Sequence, residues 1–281
     1  MKVLVTGAAG QLGHDVAAQM ADSGHEPIAA GRAELDISQR DQVLSAVGAI
    51  RPDAVVNCAA YTAVDACETE ADRAYRVNAF AVRHLAEAAR RFNAHFCHVS
   101  TDYVFSGNKA DPYHEWDRPD PQSVYGASKL AGEQEAGEAA TVVRTSWLCG
   151  RHGSNMVGTV LRLAAGGGPL RFVSDQRGSP SFTADVAAVI ERLCVDRRPG
   201  LYHAANQGDV SWYEFAREVM AAAGHDPDRV APISTADLQP PRPAPRPANS
   251  ALENRALALA GMRSPGDFRE PLKRLVAELL G

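Results

Sequence analysis

Short β-branched runs alternate with longer amphipathic stretches through the first half of the chain. Lys2 to Thr6 (K-V-L-V-T) has the pattern of a strand and ends in glycines, and Leu12 to Ala21 follows with apolar residues at helical spacing. Glu26 to Ala30 reads as a second strand, Gln42 to Ala49 as a short helix and Ala54 to Asn57 (A-V-V-N) as a buried strand. The unit then repeats, with a helix from about Ala71 to Phe92, a strand over His95 to Ser100, a helix from about Tyr125 to Glu138 and a strand over Thr141 to Arg144. Short apolar strands separated by helices of this length predict a doubly wound α/β architecture, a parallel sheet covered on both faces.

Beyond Gly150 the pattern changes. Residues 151–183 carry Gly166-Gly167-Gly168 and Gly178-Ser179-Pro180, and 232–247 is rich in proline, so both stretches read as loops. Helices are expected at about 184–195, 211–223 and 267–280. This predicts a sheet domain over 1–150 and a smaller C-terminal lobe over 151–281, with segments at about 184–205 returning to the first domain. A loop-rich lobe behind such a sheet is where a substrate cleft usually forms. Pro240 to Pro247 reads as a stiff surface loop rather than a proline-rich recognition motif. No internal repeat is visible.

Charge and cysteine usage narrow the class. A formal net charge of -5 provides no basic field for a nucleic-acid backbone or an anionic membrane. Five cysteines, Cys58, Cys67, Cys97, Cys149 and Cys194, are odd in number and hold no C-x-x-C pair, which fits free thiols in a reducing compartment. Met1-Lys2 runs directly into the first strand, without the pattern of a cleaved leader, and no apolar run is long enough to span a bilayer. A cytoplasmic protein without membrane or nucleic-acid partners is expected. Oligomeric state is not readable, and a homodimer stays open.

Gly7-Ala8-Ala9-Gly10-Gln11-Leu12-Gly13 lies between the first strand and the first helix. Glycines there allow a tight turn, close backbone approach to a pyrophosphate and close packing of helix on strand, so Gly7, Gly10, Gln11, Leu12 and Gly13 are candidate dinucleotide contacts. The G-x-x-G-x-x-G spacing departs from the commoner G-x-G-x-x-G. Where the second strand ends, Arg32 is placed to accept a 2′-phosphate, which favours NADPH over NADH; an exposed loop charge would read the same, and Glu34 and Asp36 lie nearby. Ala59, Ala60 and Tyr61 follow the third strand, where small residues let backbone lie against a cofactor, although tight packing alone would also explain the alanines.

Tyr125-Gly126-Ala127-Ser128-Lys129 sets a phenol and an ammonium four residues apart, on one face of a helix. The cation is expected to lower the pKa of the phenol and make it a usable acid. Thr101, at the end of a central strand in Ser100-Thr101-Asp102-Tyr103-Val104-Phe105, offers a hydroxyl to a substrate carbonyl. Two rival chemistries fail. His95 and His98 lie three apart on a strand and face opposite ways, so they cannot share a metal ion, and no G-x-S-x-G elbow supports a serine hydrolase.

Together these features resemble the extended short-chain dehydrogenase/reductases over nearly the whole chain. The resemblance rests on Val5 to Gly13, Pro52 to Asp65, Ser100 to Phe105, Tyr125 to Lys129, Arg144 to Trp147, Asp175-Gln176, Gly178 to Pro180 and Arg246 to Ser250. It implies a Rossmann-type sheet and a catalytic set of Thr101, Tyr125 and Lys129, with Tyr125 and Lys129 also against the cofactor. It further implies adenine contacts from Asp36 and Ile37, and sugar-nucleotide contacts from Thr101, Tyr103, Trp147, Asn155 and Arg246. Core packing would equally explain Tyr103 and Trp147, and a loop charge Arg246. Asn78 looks like the family's helix asparagine, or a residue bonding locally.

The implied reaction is reduction of the 4-keto group of dTDP-4-dehydro-L-rhamnose to dTDP-L-rhamnose by NADPH or NADH. Another nucleotide-linked 4-keto-6-deoxysugar is an alternative substrate. A catalytically silent NADP-binding subunit, resembling the β subunit of methionine adenosyltransferase, is argued against by intact Thr101, Tyr125 and Lys129. Some relatives bind Mg²⁺ between subunits through carboxylates; no matching ligand set can be placed here, so no metal residue is assigned.

Overall fold

The apolar runs of the first half assemble side by side. In a computed structural model describing residues 1–281, Lys2–Thr6 (β1), Glu26–Ala30 (β2), Ala54–Asn57 (β3), His95–Thr101 (β4), Thr141–Thr145 (β5) and Gly200–His203 (β6) form one sheet. Their order is β2-β1-β3-β4-β5-β6, and every neighbouring pair is parallel. The longer helices are α1 (Gln11–Asp22), α2 (Arg40–Ile50), α3 (Ala81–Arg91), α4 (Val124–Ala136), α5 (Met156–Ala164), α6 (Thr183–Val195), α7 (Trp212–Ala222) and α8 (Arg269–Leu280). None is long and apolar enough to cross a membrane.

Successive strand residues point to opposite faces, and both faces are apolar. Val3, Val5, Ala54, Val56, Cys97 and Val143 enter one core with α1 and α6, whereas Leu4, Val55, Phe96 and Val142 enter another with α2 and α3. Each fully buried valine or leucine contributes about 1.5–3 kcal/mol of transfer free energy, so the two cores together hold the sheet between its helices. A third core, built from α5, α7 and α8 with Leu170, Phe182, Val210 and Val230, forms the rest of the later half. From that half, α6 and β6 fold back onto the sheet, β6 pairing with β5.

The strand order reverses between β1 and β3, the position at which open α/β sheets leave a crevice beyond their carboxyl ends. There the turn after β1 touches the turn after β3. Gly7 adopts φ +69°, and a Cβ on it would sit 2.5 Å from the backbone nitrogen of Ala59, so both its conformation and its neighbour require glycine.

Two elements differ from the sequence pattern. The helix expected over 71–92 is interrupted: Ala71–Tyr75 leads into a π turn at Arg76–Phe80 before α3 begins. The extra residue leaves the apolar spacing nearly unchanged, so periodicity does not reveal it. Residues 151–183 are also not all loop. Asn155 caps α5 through its side chain, accepting from Gly158 N–H, and Leu170–Val173 pairs with Val230–Ile233. Gly158 reads as a breaker but lies on the exposed side of α5, where a missing side chain costs little packing.

Candidate active site

A cavity of about 990 Å³ opens at the crevice. Its wall includes Gly7, Gly10, Gln11, Leu12 and Gly13 from the first turn, then Arg32, Asp36 and Ile37 after β2, and Ala59, Ala60 and Tyr61 after β3. Thr101, Tyr103, Tyr125, Lys129 and Trp147 complete the wall on the other side. No side chain caps α1, and the glycine turn leaves its first N–H groups open to an anion. A side-chain-free cradle at a helix N-terminus suits a pyrophosphate.

Past β2, a cation is free and the nearby carboxylates are occupied. Arg32 is exposed and forms no ion pair, while Glu34 accepts from the Gly31 N–H at 2.9 Å. Asp36 accepts from the Ser38 backbone at 3.0 Å and from its hydroxyl at 2.7 Å, bonds that hold its carboxyl below the usual range.

The chemistry-bearing side chains come from β4 and α4. Thr101 ends β4, where its hydroxyl donates to Asp102 at 3.0 Å and accepts from Tyr103 N–H at 3.3 Å. Ser123 caps α4 by accepting from Gly126 N–H at 3.2 Å, and the helix then carries Tyr125 and Lys129 on one face. Gly126 is forced by its neighbour: a Cβ there would overlap the Tyr103 carbonyl. That approach sets the Tyr103 and Tyr125 rings edge to face, with centroids 5.4 Å apart.

The protonation pattern departs from expectation. Rather than being lowered by the neighbouring cation, the Tyr125 phenol is pushed up by burial, against a smaller opposite pull from the Thr101 hydroxyl. Lys129 Nζ donates to the Val99 carbonyl at 2.6 Å and lies 3.4 Å from His98 Nε2. Burial brings Lys129 down to about 8, with Glu133 and Cys58 pulling the other way. At neutral pH this leaves a protonated phenol beside a mostly charged amine, which is the form a proton donor needs.

Two residues expected against a sugar nucleotide bond to other parts of the chain and do not line the cavity. Asn155 lies outside the cavity wall; besides capping α5 it donates to Gln11 Oε1 at 2.9 Å and to the Gly150 carbonyl at 2.7 Å. Its amide is used up in clasping the second lobe to the first turn of α1. Arg246 is also off the wall, where its guanidinium grips both oxygens of Asp65 at 2.8 Å. That pair straps the proline-rich loop to the short helix Val64–Cys67. Asn78 bonds across the fold rather than locally, accepting from Tyr61 N–H at 2.8 Å and donating to the Tyr61 carbonyl and Ser128 Oγ. His95 and His98 have separate partners, Thr141 Oγ1 and Asn57 Nδ2.

Sequence reasoning missed Trp212, Ser146 and Asp102 on the same wall. Trp212 opens α7, a helix whose Ser211-x-x-Glu214 capping box was legible, but nothing local says that its indole meets Trp147. Asp102 followed the Thr101 already singled out.

The match with known proteins bears on this geometry. A family model described as the RmlD substrate binding domain matches residues 1–280. The chain belongs to that family. Among RmlD-family relatives, a dTDP-4-dehydrorhamnose reductase of Mycobacterium tuberculosis is 44% identical over 98% of this chain and 92% of its own. A Streptomyces antibioticus protein named "probable dTDP-4,6-dihydroxy-2-methyloxan-3-one 4-ketoreductase" is 42% identical over 100% of this chain and 96% of its own. The crystal structure of a Bacillus anthracis dTDP-4-dehydrorhamnose reductase in complex with NADP superposes with a TM-score of 0.94 at 38% identity, covering 99% of each chain.

Proposed function

We propose that this protein reduces the 4-keto group of dTDP-4-dehydro-L-rhamnose to the alcohol of dTDP-L-rhamnose, with NADPH as reductant. One observation carries the reading: Thr101, Tyr125 and Lys129 line the same cavity as the glycine turn and the unpaired Arg32. The names of the RmlD-family relatives and the NADP bound in the Bacillus anthracis structure support it.

In this reading Gly7 to Gly13 cradle the pyrophosphate, Arg32 meets the 2′-phosphate, Asp36 and Ile37 flank the adenosine and Ala59 to Tyr61 lie along the cofactor. Bound there, the nicotinamide supplies a hydride to C4 of the sugar. Thr101, its hydroxyl turned from Asp102 to the substrate, donates a hydrogen bond to the carbonyl oxygen and polarises it, and Tyr125 gives its phenolic proton to that oxygen as negative charge develops. Lys129 fixes the ribose beside them and supplies positive charge near the phenolate left behind. Tyr103 and Trp147 form the wall around the sugar, which positions C4 for attack. Five free thiols support a reducing, cytoplasmic setting.

A second substrate is favoured by the Streptomyces antibioticus relative, whose name is that of a 4-ketoreductase acting on a different dTDP-linked sugar. Purified protein mixed with NADPH and dTDP-4-dehydro-L-rhamnose should consume NADPH and yield dTDP-L-rhamnose. No consumption with that ketone, but turnover with another dTDP-4-keto-6-deoxysugar, would move the assignment to the second reading.

A further inference from the structure

The hydrogen bonds around Lys129 determine where protons sit beside it. Asn57 accepts at Oδ1 from the Ala59 backbone N–H at 3.1 Å and from the Thr6 hydroxyl at 2.7 Å. A backbone N–H can only donate, so the atom of Asn57 that faces His98 is Nδ2, 3.0 Å from His98 Nδ1. An amide Nδ2 also only donates. Nδ1 of His98 must therefore accept, and the single proton of the neutral ring lies on Nε2. Burial keeps that ring neutral, since both complete desolvation and the nearby Lys129 oppose its charged form.

Nε2–H then points at Lys129 Nζ, 3.4 Å away, while Nζ also reaches the Val99 carbonyl at 2.6 Å. An ammonium and an N–H cannot bond to each other, whereas a neutral amine can receive the N–H through its lone pair. We infer that His98 is a positioning residue for Lys129: oriented by Asn57, it turns an N–H toward the amine, holds Nζ against the Val99 carbonyl and favours release of the lysine proton. Glu133 on α4 and Cys58 after β3 also act on the amine, and both favour its charged form. His98 is the counterweight. Because Asn57 also holds Ala59, the same chain of bonds ties the cofactor-side turn after β3 to the charge on Lys129.

The test needs no turnover. Nitrogen-15 NMR of histidine-labelled free protein at pH 7 should show His98 as the Nε2–H tautomer; the Nδ1–H tautomer or a charged ring would overturn the inference. With lysine Cε labelled by carbon-13, Lys129 is one of only four lysines and is traceable. Its titration midpoint should rise by roughly one pH unit in His98→Phe and stay near the wild-type value in His98→Gln, which keeps an amide N–H in reach. An unchanged midpoint in His98→Phe refutes the proposal. If His98→Phe does not fold, His98→Met serves for the same comparison. The pH above which kcat/KM falls should shift in parallel, a readout that rests on the reductase reading; absence of turnover in the wild type would count against that reading and leave the NMR result standing.

Discussion

Trp147 lies flat against Trp212, ring centroids 3.4 Å apart and planes within 6° of parallel. The backbone of Trp147 is in the left-handed region, at φ +43°, which costs a bulky residue about 1–3 kcal/mol. The stack recovers part of that cost and holds the Trp147 indole in the cavity wall. Gly178 makes room, since a Cβ there would be 2.6 Å from the indole nitrogen.

Trp212→Leu should therefore loosen the sugar side of the cavity. An aromatic pair contributes about 0.5–1.5 kcal/mol beyond its buried area, so KM for the sugar nucleotide should rise roughly three- to tenfold while the NADPH dissociation constant holds. Steady-state kinetics with a separate cofactor titration measure both. An unchanged KM would place the stack outside substrate positioning.

Tyr125→Phe removes the proposed proton donor and leaves the ring packing intact. Turnover should fall by at least about 10²-fold, with cofactor affinity little changed. Full activity in this variant would eliminate Tyr125 as the acid.

Arg32 is an exposed cation without a partner at the cavity wall. Charge-assisted hydrogen bonds contribute about 1.5–3 kcal/mol, so Arg32→Ala should weaken NADPH roughly 10- to 100-fold and NADH hardly at all. Equal loss for the two cofactors, measured by fluorescence titration, would exclude a 2′-phosphate role.

Asp102 is fully buried, and desolvation pushes its carboxyl up to about 6, against hydrogen bonds from Ser250 and Thr101. Its folded value lies above the ordinary 3.8, so the folded chain keeps this proton longer than the unfolded one. The stabilisation is complete below pH 4 and lost as pH rises through 6. Between pH 4 and 7, the unfolding free energy of the wild type should fall relative to Asp102→Asn by about 2 kcal/mol. Urea unfolding at each pH tests this, and a pH-independent difference would contradict it.

Much of the site was legible because its parts follow strand ends. The glycine turn after β1, Arg32 after β2, Ala59 after β3 and Thr101 at the end of β4 reach one cavity, since all carboxyl ends of a parallel sheet share one edge. Tyr125 and Lys129 were readable through helical spacing. That Asn155 and Arg246 hold protein partners could not be read locally, because a polar residue in a loop has the same local pattern whether it meets a ligand or another side chain. Only the fold brings Gln11 to Asn155 and Asp65 to Arg246, across 144 and 181 residues of chain.

The sequence alone determined the alternation of strand and helix, the glycine turn after β1 and the Tyr125–Lys129 spacing, because each depends on residues within a few positions of one another. Tertiary structure decided the protonation of those groups, the π turn that sends Asn78 to Tyr61 and the meeting of Trp147 with Trp212. These depend on burial and on partners supplied by distant segments. Periodicity records which face of an element is apolar; it carries no information about which dipole or ring will stand opposite.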